Sequence, residues 1–70
     1  LIEIRLEQPD HVQVDLFDML GRKVRNLHDQ YEVSGRVEIS ISTSELPSGP
    51  YLVVAKSKYG KSSTRIVIIH

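Results

Sequence analysis

Alternation of apolar and polar residues constrains the fold of this 70-residue chain more than any other feature. It is clearest after Gly35, where Val37, Ile39 and Ile41 are separated by single polar residues. A repeat of two residues is that of a β-strand with one buried face, and no segment shows the 3.6-residue repeat of an amphipathic helix. Eight Val and seven Ile residues, against one Ala, also favour strands. The sequence therefore predicts an all-β fold.

The first half of the chain contains two further alternating segments, at residues 2–6 and 12–17. A turn then leads into a predicted strand over residues 22–27. Asp18, Gly21 and Arg22 are predicted to shape this turn, with the Asp18 carboxylate accepting hydrogen bonds from the backbone near Gly21. Residues 28–34 are mostly polar and are predicted to form a connection. Tyr31 and Val33 are expected to return from this connection to the core.

The second half begins with a turn-rich corner, in which Pro47 and Gly49 interrupt regular structure and Leu46 provides an apolar contact. Residues 51–55 are apolar at every position, which predicts a central strand covered on both faces. Residues 58–61 predict a hairpin turn into a last strand over residues 62–69. The predicted architecture is a single small, Ig-like antiparallel β-sandwich of six or seven strands. A full constant-type domain has roughly 100 residues.

Composition excludes several function classes. Nine basic and nine acidic residues cancel, so no overall positive field favours nucleic acid or an anionic membrane surface. The chain has no cysteine, which excludes disulfides and thiol chemistry. Its longest apolar run, residues 66–69, is too short to span a bilayer. Because the sequence begins at Leu1 without a signal peptide, we expect a domain excised from a longer secreted protein.

Residue types that serve in catalysis are present but are not spaced for it. His11, His28 and His70 lie too far apart in sequence for the short intervals typical of a zinc site. Asp15 and Asp18 are three residues apart, which on a strand directs their side chains to opposite faces. The serines have no neighbouring histidine and no strand-to-helix elbow. We therefore expect a domain that is not an enzyme and that needs no metal or cofactor.

Two sets of residues are candidates for binding surfaces. Tyr31, Tyr51 and Tyr59 form a sugar-stacking platform if they share a face, but tyrosines also cover the edges of β-sheet cores. Basic residues from both halves of the chain form a docking patch if the fold gathers them, although such charges are ordinarily solvated. These basic residues are Arg22, Lys23, Arg25, Lys56, Lys58, Lys61 and Arg65.

Four motifs occur in order along the chain. Phe17 to Val24 fit aromatic-Asp-x-x-Gly-Arg-x-Val, and a predicted strand led by glycine spans Gly35 to Ser42. Leu46 to Tyr51 fit Leu-x-x-Gly-x-Tyr, and residues 65–69 form a short apolar segment. In this order the motifs resemble the type A C-terminal sorting domains of the type IX secretion system of certain Gram-negative bacteria. Pro50 and His70 depart from the family's usual residues.

The resemblance implies a non-catalytic sorting signal that follows an N-terminal cargo domain. The type IX translocon would recognise it in the periplasm for passage across the outer membrane. A sortase-like cysteine protease would then remove it, leaving the cargo on the cell surface or secreted. The residues expected to be recognised are Gly49, Tyr51, Arg65, Ile66, Val67, Ile68, Ile69 and His70. The alternatives are a carbohydrate-binding or spacer module of a secreted hydrolase and an Ig-like module of the flagellar hook-capping type.

Overall fold

The computed structural model describes residues 2–6, 8–33, 35–41, 44–58 and 60–69, and these form six β-strands and no helix. The strands are β1 (Ile2–Leu6), β2 (Asp10–Asp18), β3 (Lys23–Glu32), β4 (Gly35–Ile39), β5 (Gly49–Ser57) and β6 (Gly60–Ile68). The prediction of an all-β fold with six or seven strands is therefore confirmed.

The strands form two antiparallel sheets. The larger sheet has the order β3-β2-β5-β6, and the smaller sheet pairs β1 with β4. Strand β5 lies between β2 and β6, as the uninterrupted apolar run at residues 51–55 predicts. The pairing of β5 with β6 continues to Ser57 and Gly60, so a tight hairpin connects these strands. The two outer strands of the larger sheet are β3 and β6.

The core lies between the two sheets. In β2 the apolar residues Val12, Val14 and Leu16 are at most 1% exposed, and each lies on the same side of the strand. The smaller sheet contributes Val37 and Ile39, which alternate with exposed polar residues. Leu46, Tyr51, Val53 and Ile68 complete the buried cluster. Alternation in the sequence thus translates directly into one buried face for each sheet.

Several predicted boundaries are wrong. The strand expected to include Ile41 ends at Ile39, and β5 and β6 begin at Gly49 and Gly60, inside the corner and the turn that were expected to precede them. The chain was expected to leave the sheet at His28, but β3 continues to Glu32, which pairs with Asp10 of β2. The pairing of β2 with β3 contains two register shifts, which interrupt the apolar repeat along β3. Backbone hydrogen bonds to β2 maintain β3 even where its side chains are polar. Tyr31 and Val33 were expected on the core, but they are 66% and 74% exposed.

We predict that the core in β2 decides whether the domain folds. For 70 residues the free energy of unfolding is expected to be about 3.5–10 kcal/mol. Leu16→Ala leaves a cavity at a fully buried position and should lower that free energy by about 2–5 kcal/mol. Leu20→Ala makes the same chemical change at an 82% exposed position and should cost less than about 0.5 kcal/mol. Equal losses in urea unfolding would contradict the placement of the core.

Candidate functional site

Strand β6 has one paired edge and one open edge. It pairs with β5 along its whole length, from Gly60 opposite Ser57 to Ile68 opposite Gly49. Among the residues that the structure describes, no strand pairs with the other edge of β6. An open edge presents a row of unpaired backbone N–H and C=O groups, which is a template for another strand. The smaller sheet and β3 also have open edges, so openness alone does not select β6 as a site.

The end of β6 combines this open edge with exposed apolar side chains. Ile68 is only 5% exposed and Ile66 packs partly against the core. Val67 and Ile69, which alternate with them, are 61% and 83% exposed. Arg65 is exposed on the same face of the strand as Val67. His70, the last of the residues expected to be recognised, lies outside the described part of the chain.

The corner before β5 lies directly beside the end of β6. Gly49 is paired with Ile68, and Tyr51 is paired with Ile66. The Tyr51 ring is buried, and its hydroxyl donates a hydrogen bond of 2.7 Å to the carbonyl oxygen of Pro47. Gly49 has a φ of 150°, a backbone angle that residues other than glycine rarely adopt. The fold therefore brings together the described members of the predicted recognition set.

Asp18 organises the tight turn between β2 and β3. Its carboxylate accepts hydrogen bonds from the backbone N–H groups of Leu20 and Arg22, at 2.9 and 3.0 Å, and from the Arg22 guanidinium at 3.0 Å. The Gly21 N–H donates to the Asp18 carbonyl, and Gly21 itself has a φ of 88°. The hydrogen bond from the Arg22 N–H, assisted by the other donors and by the guanidinium charge, lowers the pKa of Asp18 below its usual 3.8.

The turn and the terminal strand lie at the same end of the larger sheet. Asp18 is paired with Tyr51 across β2 and β5, and Tyr51 is paired with Ile66 across β5 and β6. These three residues therefore form one row across three strands. The sequence places Asp18 and Ile66 almost fifty positions apart, so only the topology reveals that the two predicted groups are neighbours. Exposed Met19 and Leu20 form the tip of the turn at this end.

Two buried carboxylates were not predicted from the sequence. Asp15, 1% exposed, accepts hydrogen bonds of 2.9 Å from the side-chain amides of Gln13 and Asn26 and lies 3.7 Å from the Lys23 ammonium. Asp10, 6% exposed, accepts hydrogen bonds from two backbone N–H groups, including that of Lys58 in the β5–β6 hairpin. Asp15 lies on the outer face of β2, whereas Asp10 lies on the same side of the strand as the buried Val12. The run of apolar residues 51–55 in β5 was the one available signal that the outer face is covered as well.

The remaining candidate sites are not assembled. Tyr51 is buried, whereas Tyr31 is exposed on β3 at the far side of β2. Tyr59 lies outside the described residues. The His11 ring contacts the Asp29 carboxylate through Nε2, and His28 lies 2.9 Å from a carboxylate oxygen of Glu32. Within the described residues there is no group of three side chains that could hold a metal ion.

The predicted basic patch is divided by the fold. Arg22 pairs with Asp18, Lys23 with Asp15, and Arg25 with Glu45. The basic residues of β5 and β6, namely Lys56, Lys61 and Arg65, form a separate group on the half of the larger sheet that lies away from β3. The described part of the chain contains no helix that is long and apolar enough to cross a membrane.

The fold is that of a small antiparallel β-sandwich module. The family model of secretion system C-terminal sorting domains matches residues 1–69, and the chain belongs to this family. It is a C-terminal sorting signal for type IX secretion. This implies interaction with the type IX machinery, an N-terminal cargo, and export to the cell surface or the medium. Comparison with curated proteins and with solved structures finds no significant match.

We predict that the backbone conformation of Gly49 is needed for the corner. Gly49→Val should destabilise the domain by about 1–3 kcal/mol, because a φ of 150° is strained for a β-branched residue. Gly60→Val is the matched control, since Gly60 has no such φ and a Cβ atom at either glycine meets open space. Thermal unfolding of both variants measures the difference. A larger loss for Gly60→Val would show that the conformation at Gly49 is not the constraint.

We also predict that the Asp18 turn loses stability in acid. Because the pKa of Asp18 is lowered in the folded state, its ionised form stabilises the domain at pH values above about 3.8. That contribution disappears as the pH falls through the lower folded-state value. The difference in unfolding free energy between the wild type and Asp18→Asn should therefore be constant from pH 7 to pH 5 and shrink below pH 3.8. If the difference in unfolding free energy between the two proteins grows in acid, the prediction is contradicted.

Proposed function

We propose that the type IX machinery recognises the end of β6 by adding a strand to its open edge. Two features at one end of the larger sheet carry this proposal. The outer edge of β6 pairs with no strand in the described part of the chain, and the side chains of Val67 and Ile69 are exposed. In strand addition the backbone hydrogen bonds supply affinity, and pockets for alternate side chains supply specificity. Val67 and Ile69 provide such alternate side chains.

The corner and the turn have a supporting part in this proposal. Tyr51 and Gly49 fix the backbone of β5 next to Ile66 and Ile68, so the end of β6 is held in a regular ladder before a partner arrives. The turn of the β2–β3 hairpin is formed by Asp18, Gly21 and Arg22. Asp18 is paired with Tyr51, so this turn lies beside the end of β5. An ordered edge costs less conformational entropy on binding than a flexible tail. These residues would therefore act through the geometry of the edge.

The chemistry of export then belongs to the partners. The domain would accompany its cargo through the periplasm, be bound by the translocon at the outer membrane, and be cut from the cargo by a sortase-like cysteine protease. Three observations favour a ligand over a catalyst. The His11 and His28 rings are engaged with carboxylates, the Tyr51 hydroxyl is bonded to a carbonyl oxygen, and Asp15 is enclosed by amides.

The test is export of a reporter protein fused to the 70-residue domain, in a bacterium that has the type IX machinery. The wild-type fusion should reach the cell surface or medium. Val67→Glu places a charge on the proposed contact and should leave the fusion in the periplasm. Val33→Glu makes the same change at a similarly exposed position. Val33 follows β3, the outer strand at the edge of the larger sheet opposite β6, so this variant should be exported normally.

Removal of residues 65–70 should likewise leave the fusion in the periplasm. Folding must be measured beside export, because this truncation could also unfold so small a domain. Val67→Glu should melt within a few degrees of the wild type, since Val67 is 61% exposed. The proposal fails if the wild-type domain exports nothing. It also fails if both Val67→Glu and the truncated domain are exported as well as the wild type.

A further inference from the structure

Three basic residues lie together on the outer face of the β5–β6 pair, the face that points away from the smaller sheet. Val53 and Ile66 belong to the inner, core-facing side, so the residues that alternate with them, including Arg65, face outward. Lys56 is paired with Lys61, and Arg65 is paired with Leu52. All three basic side chains are exposed. We call Lys56, Lys61 and Arg65 the basic strip.

The pairing of Lys56 with Lys61 is electrostatically unfavourable. Two like charges directly opposite each other on neighbouring antiparallel strands repel and destabilise the sheet. None of the carboxylates that the structure describes lies within ion-pair distance of either lysine or of Arg65. The basic strip is therefore positive charge that the described fold leaves uncompensated.

A second like-charged pair in the same chain has carboxylate partners. Arg5 is opposite Arg36 in the smaller sheet, but Glu3 lies 3.2 Å from the Arg5 guanidinium and 3.7 Å from that of Arg36. Glu38 lies 3.0 Å from Arg36 as well. Two opposed carboxylates thus neutralise two opposed guanidinium groups within one pair of strands. No described carboxylate lies within ion-pair distance of the basic strip. Asp18 lines the same groove as Lys56 and Lys61, but its carboxylate is paired with Arg22.

The basic strip adjoins an apolar surface on the same face. Phe17, Leu52 and Val54 contribute to a groove of about 310 Å³, whose lining also includes Lys56 and Lys61. Val54 is only 8% exposed although it does not belong to the core cluster between the sheets. This outer face therefore combines an apolar floor with positive charge next to the open edge of β6. Such a surface is complementary to a segment that carries both apolar and acidic side chains.

We infer that the strand which adds to β6 carries carboxylates that pair with Lys61 and Arg65. This inference rests on the proposed function, because it specifies the chemistry of the strand bound at that edge. Lys61 and Arg65 are four residues apart on one face of β6, a span of roughly 13 Å. The partner strand should therefore present two acidic residues four positions apart, and an apolar residue two positions further along should meet Val67.

Charged residues on an edge strand have a second ordinary use, which is to discourage unwanted strand pairing. In that case replacement of the charges would leave export unchanged or improve binding to many strands. If Lys61 and Arg65 instead bind carboxylates, their replacement should weaken recognition. The two explanations thus predict opposite effects of the same substitutions.

The first experiment compares two double variants in the export assay. Lys61→Gln with Arg65→Gln removes two positive charges from the basic strip and should reduce export. Arg5→Gln with Arg36→Gln removes the same charge from the smaller sheet, where both residues are exposed, and should leave export unchanged. Thermal melts confirm that both variants fold. Equal export by the two variants would overturn the inference.

The second experiment measures binding of the wild-type domain to a synthetic strand-forming peptide with two Glu residues four positions apart. Its matched probe has Gln at both positions. Backbone amide shifts should change along β6, and the Glu peptide should bind about two- to thirtyfold more tightly than the Gln peptide. Added salt should reduce that ratio. A ratio of one, or shifts confined to β1 and β4, would overturn the inference.

The two proposals can fail separately. If Val67→Glu blocks export while the Lys61→Gln, Arg65→Gln variant is exported normally, β6 is the recognised edge and the acidic partner is wrong. If Val67→Glu and the domain that lacks residues 65–70 are both exported normally, the proposed recognition of β6 itself is wrong. Loss of export in both variants, with normal melts and normal export of the Arg5→Gln, Arg36→Gln control, supports both.

Discussion

The pairing of β2 with β5 is the constraint on which the rest of the structure depends. It aligns Leu16 with Val53 and Val14 with Ala55, so that apolar side chains of two distant segments share one face of the larger sheet. A shift of one residue would direct every one of these side chains to the opposite face. The same register places Asp18 beside Tyr51, and the β5–β6 hairpin then places Ile66 in that row. The core and the exposed end of the sheet are therefore fixed together.

Much of the fold could be predicted because its strongest signals are local. Alternation identified the buried residues of β2 and β4, and the fully apolar stretch from Tyr51 identified β5 as a central strand. Strand β3 could not be delimited in the same way. Its second half is polar and its register shifts twice, so its pairing with β2 is maintained by backbone hydrogen bonds that leave no periodic signal in the side chains.

The candidate site was less predictable than the fold, because its properties depend on contacts between distant segments. Exposure of Val67 follows from alternation with the buried Ile68, and this could be expected from the sequence. The burial of Asp15 could not, because Asn26 and Lys23 reach it from the neighbouring strand. Nor could the sequence show which basic residues have carboxylate partners. The sequence offered no way to rank the seven basic residues as binding candidates. The structure separates the basic strip on β5 and β6 from the basic residues near β3 that have carboxylate partners.

The charge on β6 also affects encounters between identical copies of the domain. If two copies joined their β6 edges about a twofold axis at Ser63, Lys61 of each copy would face Arg65 of the other. Positive charge would then meet positive charge at both ends of the new ladder, which disfavours homotypic pairing. An acidic strand would meet no such repulsion. In this register, the side chains that would attract an acidic strand are the ones that disfavour pairing between two copies of β6.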